Sequence, residues 1–153
     1  MFARIWAWIL ALIATIIPWL EKPPSIDDWR KATVEIIEAI KANDINTIES
    51  YMNQNIKDNV PDLRGRIAAF INAIEGEITG YSSPRQVTSS WIGSTKEESG
   101  SSEIETTTGT YGLAIFWVTQ NPSKPETVGI EMMRLAIKTD DGLKNCGVDI
   151  YMP

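Results

Sequence analysis

The chain has 153 residues, 14 Lys and Arg against 20 Asp and Glu for a net charge of −6, and no histidine. That length suits one globular domain with an ordinary core, and the acidic balance excludes a phosphate-tracking surface, which needs clustered cations, so nucleic acid is not an expected partner. The missing histidine removes Ser-His and Cys-His nucleophile activation, imidazole proton shuttling and most zinc and non-haem iron sites, and no metal or cofactor is expected.

The first element is "MFARIWAWILALIATIIPWLEK": one cation, Arg4, an apolar run from Ile5 to Leu20, and a polar exit at Glu21 and Lys22. At 1.5 Å per residue the run spans roughly 24 Å, short of the roughly 30 Å hydrocarbon core unless Arg4 snorkels and Met1 to Ala3 join it. The leading expectation is an uncleaved helix that holds the chain to a membrane through residues 2–20, with Arg4 on the cytoplasmic side and the domain exposed outside the cytoplasm. Trp6, Trp8 and Trp19 near its ends fit an aromatic belt. A cleaved signal peptide with a secreted domain is the second reading, although no small-residue pair at cleavage spacing follows the run. An apolar helix packed on its own domain or on a neighbouring subunit is the third. Pro23 and Pro24 make a short stiff break. The chain therefore divides into a membrane or signal segment, 1–24, and a domain, 25–153.

Ser25 and Asp28 are spaced as a capping box, and Trp29, Ala32, Thr33, Ile36, Ile37 and Ile40 recur on one side, which predicts an amphipathic helix from Ser25 to about Ala42. Asp44 restarts the pattern after "KAN", giving a short helix through Ile45, Ile48 and Met52. Pro61 suits a first helical turn, and Leu63, Ile67, Phe70 and Ile74 form a second stripe.

From Glu77 the apolar period changes to two. "GEITGYSSP", "QVTSSWIGSTKEESG", "SSEIETTTG", "TYGLAIFWVTQ" and "TVGIEMMRLAIKTDDG" are predicted as five strands, joined through Pro84, Gly100, Gly109 and "NPSKPE" as turns. Within them "STKEESGSSE" is predicted as a mobile hairpin tip. The fourth strand is apolar on both parities, so it is expected in the centre of the sheet, covered by helices on one face and by a partner subunit on the other. The predicted class is α+β: three N-terminal helices, then a bent antiparallel sheet of about five strands closing as a cone, with an apolar helix in front. The one cysteine, Cys146, has no internal partner and no local signature of a nucleophile. "NPS" at Asn121 is not a glycosylation acceptor, because proline holds the middle position.

The stretches "ATVEIIEAIKANDINTIESYMNQ", "IAAFINAIEGEITGYSS" and "ETVGIEMMRLAI" resemble a family of uncharacterised exported domains of Gram-positive bacteria, within the nuclear-transport-factor-two-like (cystatin-like) group. The resemblance covers most of Ile26 to Gly142, marked by Asp44, the Glu75-Gly76 junction and Val128-Gly129-Ile130. It implies a pocket between the long helix and the concave face of the sheet, where enzymes of the group place an acid, a tyrosine or a histidine. Members often carry a lipobox cysteine, and this chain has no cysteine before Cys146.

Glu75 follows the buried stripe at Ile74, and Gly76 offers a left-handed cap from which the chain turns into the sheet. A carboxylate held there in an apolar pocket would have a raised pKa and could take a proton, so Glu75 and Glu77, with Tyr81 or Tyr111, are the catalytic candidates. Beside this stands the plain reading, in which Glu75 faces solvent and Glu77 pairs across the sheet. Trp91, Tyr111 and Trp117 are candidate ligand-binding aromatics, although aromatics alternating on a strand are commonly core; Met132 and Met133 read as packing. The leading functional expectation is a membrane-anchored extracytoplasmic binding domain without catalysis, taking a small molecule, a peptide or an envelope protein, with a homodimer through the sheet as a further partner. A small acid/base enzyme is the first alternative. A structural subunit assembled through its apolar N-terminal helix is the second, although the chain lacks the start of a type IV pilin.

Overall fold

A computed structural model describes residues 26–152 as an α+β domain of four helices and a seven-stranded antiparallel sheet. The apolar N-terminal segment, the membrane contact through residues 2–20, the Pro23-Pro24 break and Ser25 lie outside the described residues. Among the described residues no helix is long and apolar enough to cross a membrane.

Helix α1 runs Trp29–Lys41. It starts three residues later than the expected capping box allows: Asp28, not Ser25, is the cap, and its carboxylate accepts the N–H groups of Arg30 and Lys31 at 3.1 and 3.2 Å. Its inward stripe is the one the spacing predicts, with Ile36 and Ile37 fully buried. Helix α2, Ile45–Tyr51, is capped by Asp44, which accepts both the N–H and the hydroxyl of Thr47. Helix α3, Gln54–Asn59, is unanticipated; it is six residues long, is capped by Asn53 and buries Ile56. Helix α4, Leu63–Asn72, is capped by Asp62, so Pro61 precedes the helix rather than opening its first turn.

The strands are β1 Ile78–Tyr81, β2 Arg85–Ile92, β3 Thr95–Thr106, β4 Thr110–Gln120, β5 Gly129–Thr139, β6 Gly142–Asn145 and β7 Ile150–Tyr151. Their order is β1-β3-β4-β5-β6. The remaining two are β2 beside β3 and β7 beside β5. β1 pairs with Ile104 to Thr106 and β2 with Thr95 to Ser101, so both lie on the same edge of β3. The expected second strand is corrected here. Its sequence is a hairpin turning at Gly93 and Ser94, and the expected third strand is the second half of β3. The segment predicted as a mobile tip is an interior strand, in which Glu98 and Ser99 are buried. Gly100, expected in a turn, sits mid-strand beneath the Trp29 indole; a Cβ there would lie 2.1 Å from Cζ3 of the ring.

β4 occupies the middle of the sheet, as its two-sided apolarity predicts. Tyr111, Leu113, Ile115 and Trp117 face the helices and are 0–2% exposed. They meet Ile36, Ile48, Ile67 and Phe70 in a single core, each buried aliphatic side chain contributing about 1.5–3 kcal/mol of transfer free energy. The helices cover this face only. On the other, Ala114, Phe116 and Met132 are half-buried and Leu143 of β6 is exposed.

The sheet has two ends. At one, the Gly93-Ser94 turn meets the loop before β5 through the hydroxyls of Ser94 and Ser123, and Ile26 donates its N–H to Thr119 O at 2.9 Å. At the other lie the turns Thr107 to Gly109 and Asp140 to Asp141. α1 joins the two, with Trp29 over Gly100 in the first half and Ile40 at the far end; thirteen residues span roughly 20 Å.

Candidate functional site

At the far end, the last turns of α1 and α4 and the first residue of β1 leave a hollow of about 420 Å³ between them. Its floor is aliphatic: Ile40, Ile71, Ile74 and Ile78, each 3–9% exposed. The rim is polar, with Lys41, Asn43, Asn72 and Glu77, all exposed. Each of these positions follows from the ends of elements. α1 stops after Lys41, whose cation suits a helix C-terminus. Asn43 then takes a left-handed conformation, φ 55°, that few residue types other than glycine tolerate as readily. α4 ends at Asn72 with Ala73 as its C-cap, so Gly76, at φ 82°, does not cap the helix as expected but makes the turn into β1 three residues later.

The backbone of that turn is clamped to the β3–β4 turn. The Glu75 N–H donates to the Tyr111 hydroxyl at 3.0 Å, Thr108 donates to Glu75 O at 2.7 Å, and the Glu77 N–H donates to Thr107 Oγ1 at 3.1 Å. Both carboxylates are exposed. Glu77 stands on the rim of the hollow and Glu75 is outside its lining. Neither tyrosine hydroxyl is hydrogen-bonded to a carboxylate of this pair. Tyr81 donates to Glu38 on α1 at 2.7 Å, which with partial desolvation holds its phenol above the usual range. Tyr111 is buried, and its hydroxyl accepts the Glu75 backbone N–H.

The three candidate aromatics do not share a cavity. Tyr111 and Trp117 are both core residues of β4, six positions and roughly 20 Å apart along the strand. Trp117 meets Tyr51 edge to face at 5.8 Å. Trp91, next to last in β2, is on the surface, 60% exposed, with Lys96 Nζ 6.0 Å from its ring. Met133 is fully buried, whereas Met132 lies half-buried on the open face of the sheet.

Sequence reasoning missed Lys41, Asn43 and Asn72. "KAN" carries a turn signal, but nothing in one dimension brings the end of α1 against the end of α4. A second, smaller hollow of about 160 Å³ lies on the open face beside Arg85, Glu103, Lys138 and Leu143, where Lys138 and Glu103 approach to 3.5 Å. Among the described residues no group of His, Cys, Asp and Glu is placed to hold a metal ion.

An isoleucine floor with an amide and single-charge rim can bury an aliphatic group and hydrogen-bond the polar atoms attached to it. A family model described as a domain of unknown function (DUF5104) matches residues 35–140, which include every residue of the larger hollow. No curated protein matches the chain.

Proposed function

The chain belongs to that family of domains of unknown function, DUF5104, and on this premise we propose that it is a non-catalytic binding domain, anchored to a membrane by its N-terminal segment and exposed outside the cytoplasm. It takes an aliphatic side chain of a peptide, or a small amphiphile, in the hollow between α1 and α4. The observation that carries this reading is the composition of the hollow: four isoleucines below, two amides and one charge of each sign above, and no nucleophile or buried acid among them. The helices-then-sheet order supports the cystatin-like assignment and the export that goes with it. The hollow lies at the end of the domain away from Ile26, which leaves it facing the aqueous side when the chain is held from its N-terminus.

The acid/base alternative has one observation in its favour, the place of Glu77 on the rim. It also requires a dry setting, whereas the carboxylate is exposed. The half-buried Phe116 and Met132 on the face turned from the helices support a homodimer through the sheet.

The test uses the full chain in lipid nanodiscs and a set of short, water-soluble peptides carrying isoleucine or leucine as probes. Shifts of backbone amide resonances are expected to gather at Ile40, Asn72 and Ile78 and to vanish in Asn72→Trp, whose indole fills the hollow from its rim. Shifts scattered over the domain, or unchanged in the variant, refute the reading. Glu77→Gln is expected to keep the probe shifts, and a turnover lost in that variant turns the assignment to the enzyme.

A further inference from the structure

The end of the sheet opposite the hollow carries apolar surface that the described fold leaves uncovered. Trp91 and Ile92, 60% and 65% exposed, are the last two residues of β2 and lead directly into the Gly93-Ser94 turn. β2 is an edge strand exposed along all eight residues, so the two side chains project from a hairpin tip with no core beneath them. A tryptophan and an isoleucine side by side at a turn are poor choices for a surface that meets only water.

Their position relates them to the start of the domain. Ile26 is hydrogen-bonded to Thr119 O, Thr119 Oγ1 donates to Lys96 O at 3.2 Å, and Lys96 pairs with Trp91 in the ladder. The chain thus enters the domain beside the exposed tip. Five residues lie between Leu20, where the apolar run ends, and Ile26, a reach of roughly 20 Å at full extension. The tip therefore lies at the end of the domain to which that run is joined.

We infer that the β2–β3 hairpin is a second membrane contact, in which Trp91 and Ile92 enter the interfacial layer of the same bilayer that holds the N-terminal segment. The inference rests on the anchored reading proposed above and adds an orientation to it. Indole suits that layer, with an apolar body and a polar N–H, and an aliphatic neighbour deepens the contact. Lys96 beside the ring is paired with Glu98 at 3.3 Å, so the contact is apolar rather than electrostatic. It fixes the domain with its tip on the lipid and its hollow away from it.

The experiment uses the full chain with Cys146→Ser and a single environment-sensitive nitrobenzoxadiazole label, at Ile92→Cys or, as control at the opposite end, at Asp141→Cys. Each is reconstituted into phosphatidylcholine vesicles with and without lipids brominated on the upper acyl chain, and flotation is measured in parallel. The label at position 92 is expected to shift to the blue and lose roughly half of its emission to the bromines, while the label at 141 changes little and anionic lipid alters neither. A chain that floats with the vesicles while its label at 92 stays unquenched overturns the hairpin contact. A blue-shifted but unquenched label does the same, and shows the tip covered by protein, the chain's own N-terminal segment included. A chain that fails to float overturns the anchored reading, and this inference falls with it.

Discussion

Gly100→Ala is expected to destabilise the domain by about 2 kcal/mol in the natural chain and to reverse sign once Trp29 is removed. A Cβ at position 100 would stand 2.1 Å from Cζ3 and 2.6 Å from Cη2 of the Trp29 ring. Carbon atoms in contact settle near 3.5–4.0 Å, so the indole must retreat by roughly 1.4 Å or more. Trp29 is 3% exposed and belongs to the central core cluster, so it has little room to retreat, and overpacking of this kind costs about 1–3 kcal/mol. Trp29→Ala alone removes a buried aromatic at about 3–5 kcal/mol. In that background the methyl group enters space the indole has left, and alanine in a strand interior gains about 0.5–1 kcal/mol over glycine. Urea unfolding of the four chains in nanodiscs, followed by circular dichroism, closes the cycle. A coupling of about 2–3 kcal/mol is expected, and additivity within about 0.5 kcal/mol would refute the placement of Trp29 on Gly100.

Two further outcomes concern titratable groups. The Tyr51 phenol is pushed up to about 12 by burial and by the hydrogen bond it donates to Glu35. The folded chain therefore keeps a proton that the unfolded chain gives up, and this stability is complete below pH 10 and is lost as pH rises to about 12. A loss of stability over that window is expected in the natural chain and not in Tyr51→Phe, reduced by solvent around the partly exposed pair; parallel pH profiles for the two chains would refute the assignment. Cys146 is half-buried, and burial, with Asp149 nearby, raises its thiol above the usual range. Alkylation by iodoacetamide at neutral pH is expected to be about tenfold or more slower in the folded chain than in urea, and equal rates would show the sulfur open to disulfide exchange between chains.

The fourth expected strand coincides with β4 from Thr110 to Gln120, because eleven residues apolar on both parities admit no competing period. The stripes of α1 and α4 were equally plain, since their inward residues meet one continuous core. β3 was not legible as an interior strand. Its first half reads Thr-Lys-Glu-Glu-Ser-Gly, a composition that suits a loop, yet small and polar residues are what the tertiary fold needs there. Gly100 makes room for an indole, Ser99 hydrogen-bonds Thr88 at 2.7 Å, and Glu98 pairs with Lys96. α3 escaped because six residues with one buried isoleucine make no periodic pattern. Of the candidate site, the Glu75 to Glu77 turn was visible as a change of period, while the hollow beside it was not, because its rim comes from the ends of three separate elements.

The position of α1 along the sheet decides whether the two ends of the domain are separate surfaces. Sliding the helix by one turn, roughly 5.4 Å, would carry the indole toward the next core-facing positions of β3, two residues away on either side. Those are Glu98 and Ser102, both buried and both bearing the Cβ that Gly100 lacks. Gly100 is thus the seat that admits the ring, and it sets the register of helix on sheet. With Trp29 seated there, a helix of thirteen residues brings Ile40 to the floor of the hollow beside Ile78, while Ile26 and the Trp91 tip remain at the other end. A contact that holds the domain at the tip and a ligand in the hollow then do not compete for surface, and a rigid helix fixes the distance between them.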